Sequence, residues 1–137
     1  MERPSWQNEI VELHSFFVAW LGGELPKTAE VFARFSATTA PSFALISPSG
    51  HLIERAALGE GLYAGHGSRP NLQIWIERPL LRLHTGQLSL VTYEEWQREA
   101  DKITARQSSA LFVDALNTPN GLAWLHVHET WMPNSPA

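Results

Sequence analysis

The sequence predicts an α+β fold in which helices come first and a mostly antiparallel sheet follows and wraps around them. Two observations carry that prediction. Apolar residues recur at three- and four-residue steps early in the chain, and at two-residue steps after Asn71. Between those regimes lies GHGSRPN, a run of chain-breaking residues. The chain has 137 residues and 44% hydrophobic content, which suits one domain over residues 1–137 with one substantial core.

The first helix is expected over residues 9–21. Ile10, Leu13, His14, Phe17, Val18 and Leu21 form its stripe, Ser5 or Asn8 can cap it, and Gly22-Gly23 ends it. A second helix is expected over residues 27–35, with Val31, Phe32 and Phe35 apolar and Pro26 at its first turn. FALI and HLIE, on either side of SPSG, read as two short strands around a turn. A third helix over residues 54–65 carries Gly59 and Gly61, each unfavourable in a helix interior. Four long strands follow: LQIWIERPLLRL, QLSLVTYEEWQ, ITARQSSALFVDA and GLAWLHVHETWM. Pro79 marks a bulge or an edge in the first of these. HTGQ and NTPNG supply turns, and READK reads as a polar loop.

Composition excludes several functions. The formal net charge is -4, and Lys27 and Lys102 are the only lysines. Binding a phosphate backbone needs several cations on one face, so no nucleic-acid partner is expected. There are no cysteines, hence no disulfide or thiolate chemistry. No apolar run approaches the ~20 residues of a membrane span, and MERPSWQNEI lacks the apolar core of a signal peptide. A soluble, cytoplasmic protein with no membrane partner is expected. GEGLYAGHGS lacks the Gly-Lys-Ser/Thr ending of a phosphate loop.

The most informative stretch is WLHVHETWMP, residues 124–133. On a regular strand His126 and His128 share a face with Trp124 and Thr130, while Leu125, Val127, Glu129 and Trp131 share the other. Three readings of the histidines stand. As metal ligands they lack a third partner, because Glu129 points the other way, so neither metal nor cofactor is expected. As core residues they hydrogen-bond across the sheet. As pocket residues they carry protons, with Arg106 or Arg82 able to hold an anion by a forked contact and Arg106 the expected anion or oxyanion support. The orienting carboxylate then comes from Glu77, Glu94, Glu95 or Asp114. His14 interrupts an apolar stripe and so must meet a partner or a wet cavity. His14, Phe17, Trp20, Trp75 and Trp124 are the expected pocket walls.

EIVELHSFFVAWLGG, AEVFARFSATTAPSFALISPSG and the final GLAWLHVHETW together resemble the nuclear transport factor 2-like superfamily. The resemblance is closest to its SnoaL-like and ketosteroid isomerase-like members, including domains of unknown function. It implies a cone-shaped roll of a strongly curved, mostly antiparallel sheet around three N-terminal helices. It also implies a homodimer formed through the outer sheet face. The chain departs from the isomerase pattern: His14 stands near the position of a tyrosine, and SFAL carries no acid. The expected function is small-molecule binding or cofactor-free, isomerase- or lyase-like acid–base chemistry on a small apolar or weakly anionic ligand. His126, His128 and Arg106 would be the catalytic groups. The alternative is a non-catalytic dimerisation or binding module, with Trp96 and Trp131 facing a partner subunit.

Overall fold

The computed structural model describes residues 2–133. Its elements are α1 (Ser5–Leu21), α2 (Ala29–Ser36), β1 (Thr39–Ile46), β2 (Leu52–Glu54), α3 (Arg55–Ala64), β3 (Gln73–Thr85), β4 (Leu88–Glu99), β5 (Lys102–Asp114) and β6 (Leu122–Trp131).

Helix α1 starts a turn earlier than the apolar stripe predicts. Pro4 occupies the extended position before it at φ -63°, and neither Ser5 nor Asn8 provides a side-chain cap. Helix α2 is capped by Thr28, whose Oγ1 accepts from the Val31 N–H at 3.2 Å. Pro26 therefore lies outside its first turn. Helix α3 tolerates Gly59 because it packs there against α2. A Cβ at Gly59 would sit 3.5 Å from the Phe35 ring.

The six strands form one sheet in the order β2-β1-β6-β5-β4-β3. This corrects the expectation of a strongly curved, cone-shaped roll. The sheet is open, with β2 and β3 as two separate edges that do not meet. The long meander β3-β4-β5-β6 grows in one direction, and the β1-β2 hairpin then adds to its far side. Joining β1 to β6 makes a parallel pair in an otherwise antiparallel sheet. Strand periodicity alone contains no term for closure, which needs matched stagger at both edges.

The helices cover one face. Ile10, Leu13, Phe16 and Trp20 of α1 are buried against Phe112, Val91, Trp124 and Val127 of the sheet. Trp20, Phe32 and Tyr63 bring the three helices together, with ring centroids 4.9–5.3 Å apart. Glu9 is fully buried and ties the layers to one another. Its carboxylate accepts two bonds from Arg34 (2.8 and 3.0 Å), one from Trp124 Nε1 (2.8 Å) and one from Asn120 (3.0 Å).

Candidate functional site

Between the helices and the covered face of the sheet lies a cavity of about 340 Å³. The walls come mostly from leucine, isoleucine and phenylalanine side chains of all three helices and of β1, β2 and β3. A polar end is built by α1, β4, β5 and β6, through His14, Tyr93, Glu95, Gln97, Arg106 and Glu129. An apolar chamber with a few convergent polar groups is the usual form of a small-molecule site.

The strand register explains which residues arrive there. On β4 the alternation sends Tyr93, Glu95 and Gln97 inward, and Glu94 and Trp96 outward. On β6 the alternation is interrupted. Phe112 pairs with Trp124, but Leu111 pairs with His126, so Leu125 is an extra residue in a β-bulge. Trp124 faces the cavity, and so do Val127 and Glu129. His126 and His128 face away, which corrects the expectation that they share a face with Trp124.

His14 is held from both sides. Its Nδ1 lies 2.7 Å from the Ile10 carbonyl and its Nε2 lies 3.0 Å from Glu95 Oε1. Gln97 donates to the other Glu95 oxygen at 2.7 Å. Burial works against a charged imidazole, but the Glu95 carboxylate and the Ile10 carbonyl outweigh it, so the His14 pKa is raised. Burial likewise opposes ionisation of Glu95, yet His14 and Arg106 hold its pKa down to about 2. Glu129 goes the other way. Its burial and the nearby Glu95 carboxylate push it up to about 8, against the pull of Arg106 and His14. Burial also moves the Tyr93 phenol well above its usual range. The site thus favours an ionised His14–Glu95 pair and makes the Glu129 carboxyl beside it harder to ionise.

Arg106 is the other polar anchor. Its guanidinium stacks over the Trp131 ring at 4.8 Å and reaches Glu129 at 3.5 Å. Its Nε is buried with no hydrogen-bond partner among the described residues.

The sequence-predicted residues divide cleanly. His14, Phe17, Arg106 and Trp124 line the cavity. Trp20 does not: it is fully buried in the core and donates to the Leu62 carbonyl at 2.8 Å. Trp75 stacks on Trp96 on the outer face, with ring centroids 6.0 Å apart. Of the four carboxylate candidates, Glu95 lines the cavity and Glu77, Glu94 and Asp114 do not. Trp131 packs on Arg106 at a second cavity. Glu129 and Gln97 were missed as site residues. The signal for Glu129 was its opposite parity to the histidines, which in this fold means the inside. Among the described residues no group of three His, Cys, Asp or Glu side chains could hold a metal ion. No helix among them is long and apolar enough to cross a membrane.

Comparison with known proteins places this geometry. The family described as sucrose-6-phosphate phosphohydrolase C-terminal matches residues 6–133. Sucrose-phosphatase 2 of Nicotiana tabacum is 26% identical over 133 residues, covering 94% of this chain and 31% of that protein. The chain thus spans about a third of the length of this curated relative. Among solved structures, an NTF2-like protein of unknown function from Pseudomonas aeruginosa superposes with a TM-score of 0.84. It is 26% identical and is matched over 94% of this chain and 99% of that one. The CaMKII hub of S. rosetta superposes with a TM-score of 0.63 at 13% identity, over 77% of this chain and 83% of that one. The fold is nuclear transport factor 2-like.

Proposed function

The chain belongs to the sucrose-6-phosphate phosphohydrolase C-terminal family, and we propose that residues 1–137 act as one non-catalytic binding and association domain. The observation that carries this reading is the uncovered face of the sheet. His126 lies in a cross-strand row with Ala44, Leu111, Leu90 and Leu83, and His128 in a row with Ile46, Ser109, Thr92 and Leu80. Leu80, Leu83, Leu88, Trp75 and Leu52 are all exposed large apolar side chains. Exposed large apolar side chains gathered on one sheet face mark an interaction surface. A second copy of the domain is the partner it suits, with the histidines at the centre of the contact.

The same domain takes a small ligand in its cavity. His14, Glu95 and Gln97 are already bonded to one another there, so they hold a fixed polar wall. Multi-angle light scattering tests the association. The domain is expected to run as a dimer at micromolar concentration, and Leu83→Glu is expected to run as a folded monomer, since Leu83 is 57% exposed. A monomeric parent protein sinks the association reading.

One observation favours a second reading, acid–base chemistry of the SnoaL-like or ketosteroid isomerase-like kind. Glu129 is a cavity-facing carboxyl with a pKa of about 8, the range in which a side chain can both take and give a proton near neutrality. Proton carriage then belongs to Glu129 and His14. Exchange of an acidic C–H of a bound ketone for deuterium, lost in Glu129→Gln, would support this reading over simple binding.

A further inference from the structure

We propose that the cavity takes an apolar monocarboxylate, with its hydrocarbon body among the leucine and phenylalanine walls and its carboxylate between Arg106 and Arg69. This rests on the reading that the domain binds a small ligand in its cavity. Arg69, Gln97 and Arg106 line both that cavity and a neighbouring one of about 240 Å³, so the two are contiguous. Their character differs sharply. The main chamber is walled by hydrocarbon, and the neighbour by Arg69, Glu99, Lys102, Thr104, Arg106 and Trp131.

The charge there opposes that of the whole chain. The sequence carries a net charge of -4, yet the smaller cavity gathers three cations against one carboxylate, Glu99, with Glu95 and Glu129 facing Arg106 from the main chamber. Arg69 already grips Glu99 through Nε and Nη2 at 2.8–3.3 Å. Lys102 makes no ion pair among the described residues. Arg106 has a single 3.5 Å contact with Glu129, and that carboxyl is largely protonated at neutral pH. Its Nε is buried and has no acceptor among the described residues, so the guanidinium keeps a donor for an incoming carboxylate. Both Glu95 oxygens are already engaged, one by His14 Nε2 at 3.0 Å and one by Gln97 at 2.7 Å.

These features select the ligand. A planar guanidinium fork matches a carboxylate. The Trp131 ring beneath Arg106 holds the fork in place from its other side. A chamber of this size stands at the lower end of small-molecule sites, about 300–1,000 Å³, which favours a small hydrocarbon body.

Isothermal titration calorimetry with decanoate and decan-1-ol tests the proposal. Decanoate is expected to bind at least tenfold more tightly than the alcohol. Arg106→Gln is expected to bring decanoate to the level of the alcohol and leave the alcohol unchanged. Arg69→Gln, at a partly exposed position, is expected to weaken decanoate several-fold, and it keeps the test decisive should the Arg106 variant fail to fold. If the alcohol binds as well as decanoate, or if both variants retain decanoate at full strength, the carboxylate proposal is overturned while ligand binding in the cavity stands. If neither probe binds, the proposal and the ligand-binding reading fall together.

Discussion

Glu129→Gln should change how the stability of this protein depends on pH. In the folded protein the Glu129 carboxyl is pushed from its ordinary 4.5 up to about 8. A group whose folded pKa is raised stabilises the fold fully below the unfolded value, and that contribution is lost as pH rises through the folded one. For Glu129 the loss spans roughly pH 4.5 to 8. At about 1.4 kcal/mol per pH unit, the whole interval is worth at most about 5 kcal/mol. Glu95 shares that balance and Arg106 relieves part of it, so about 2–3 kcal/mol is the reasonable expectation. Glutamine keeps the shape of the neutral acid and cannot ionise. The variant should therefore gain about 2–3 kcal/mol on the parent between pH 5 and pH 9. With about 2.1 cal/mol/K of unfolding entropy per residue over 137 residues, this corresponds to about 7–10 °C in Tm. His14 also has a raised pKa, so its contribution falls in the same direction as pH rises above 6.5, in both proteins. Glu95, held near 2, gives both an acid limb in which stability is lost from about pH 4.5 downward. Thermal melts followed by circular dichroism at five pH values read the difference. Parallel Tm curves for parent and variant across pH 5–9 would refute the assignment of a protonated Glu129.

Other expectations follow from the same geometry. Glu9→Ala removes a fully buried carboxylate, strands the Trp124 indole N–H and leaves Arg34, among the described residues, the half-exposed Glu12 at 3.6 Å and the Thr38 hydroxyl at 3.4 Å. Chemical denaturation should register a loss of about 3–5 kcal/mol, against less than about 1 kcal/mol for Glu12→Ala. Ala100 sits at φ 54° in the first place of the two-residue turn between β4 and β5, where glycine is favoured. Ala100→Gly should raise stability by about 0.5–1 kcal/mol in the same assay. Trp75→Ala, on the outer face and stacked only on Trp96, should leave decanoate binding unaltered, whereas Phe17→Ala in the cavity wall should weaken it several-fold by calorimetry.

Much of the fold was legible in local patterns. The α1 stripe, the paired strands around SPSG and the turns at HTGQ and NTPNG are all decided by residues close together in sequence. His14 announced itself as a polar residue on an apolar stripe, and it does line the cavity with Glu95 as its partner. Other features depend on residues far apart. The parallel joining of β1 to β6 leaves no periodic trace, and neither does the open edge of the sheet. The bulge at Leu125 exchanges the faces of the last strand, because the side-chain period is two and one extra residue inverts everything beyond it. That single residue sends Trp124 and Glu129 to the inside and both histidines of LHVHE to the outside. The sequence by itself determined the helices, the strands and the presence of a polar residue facing an apolar chamber. Tertiary structure alone decided which acid meets His14, which acid has its pKa raised and which arginine has a buried Nε with no partner among the described residues. Those outcomes depend on burial and on distances between strands, and no local pattern encodes either.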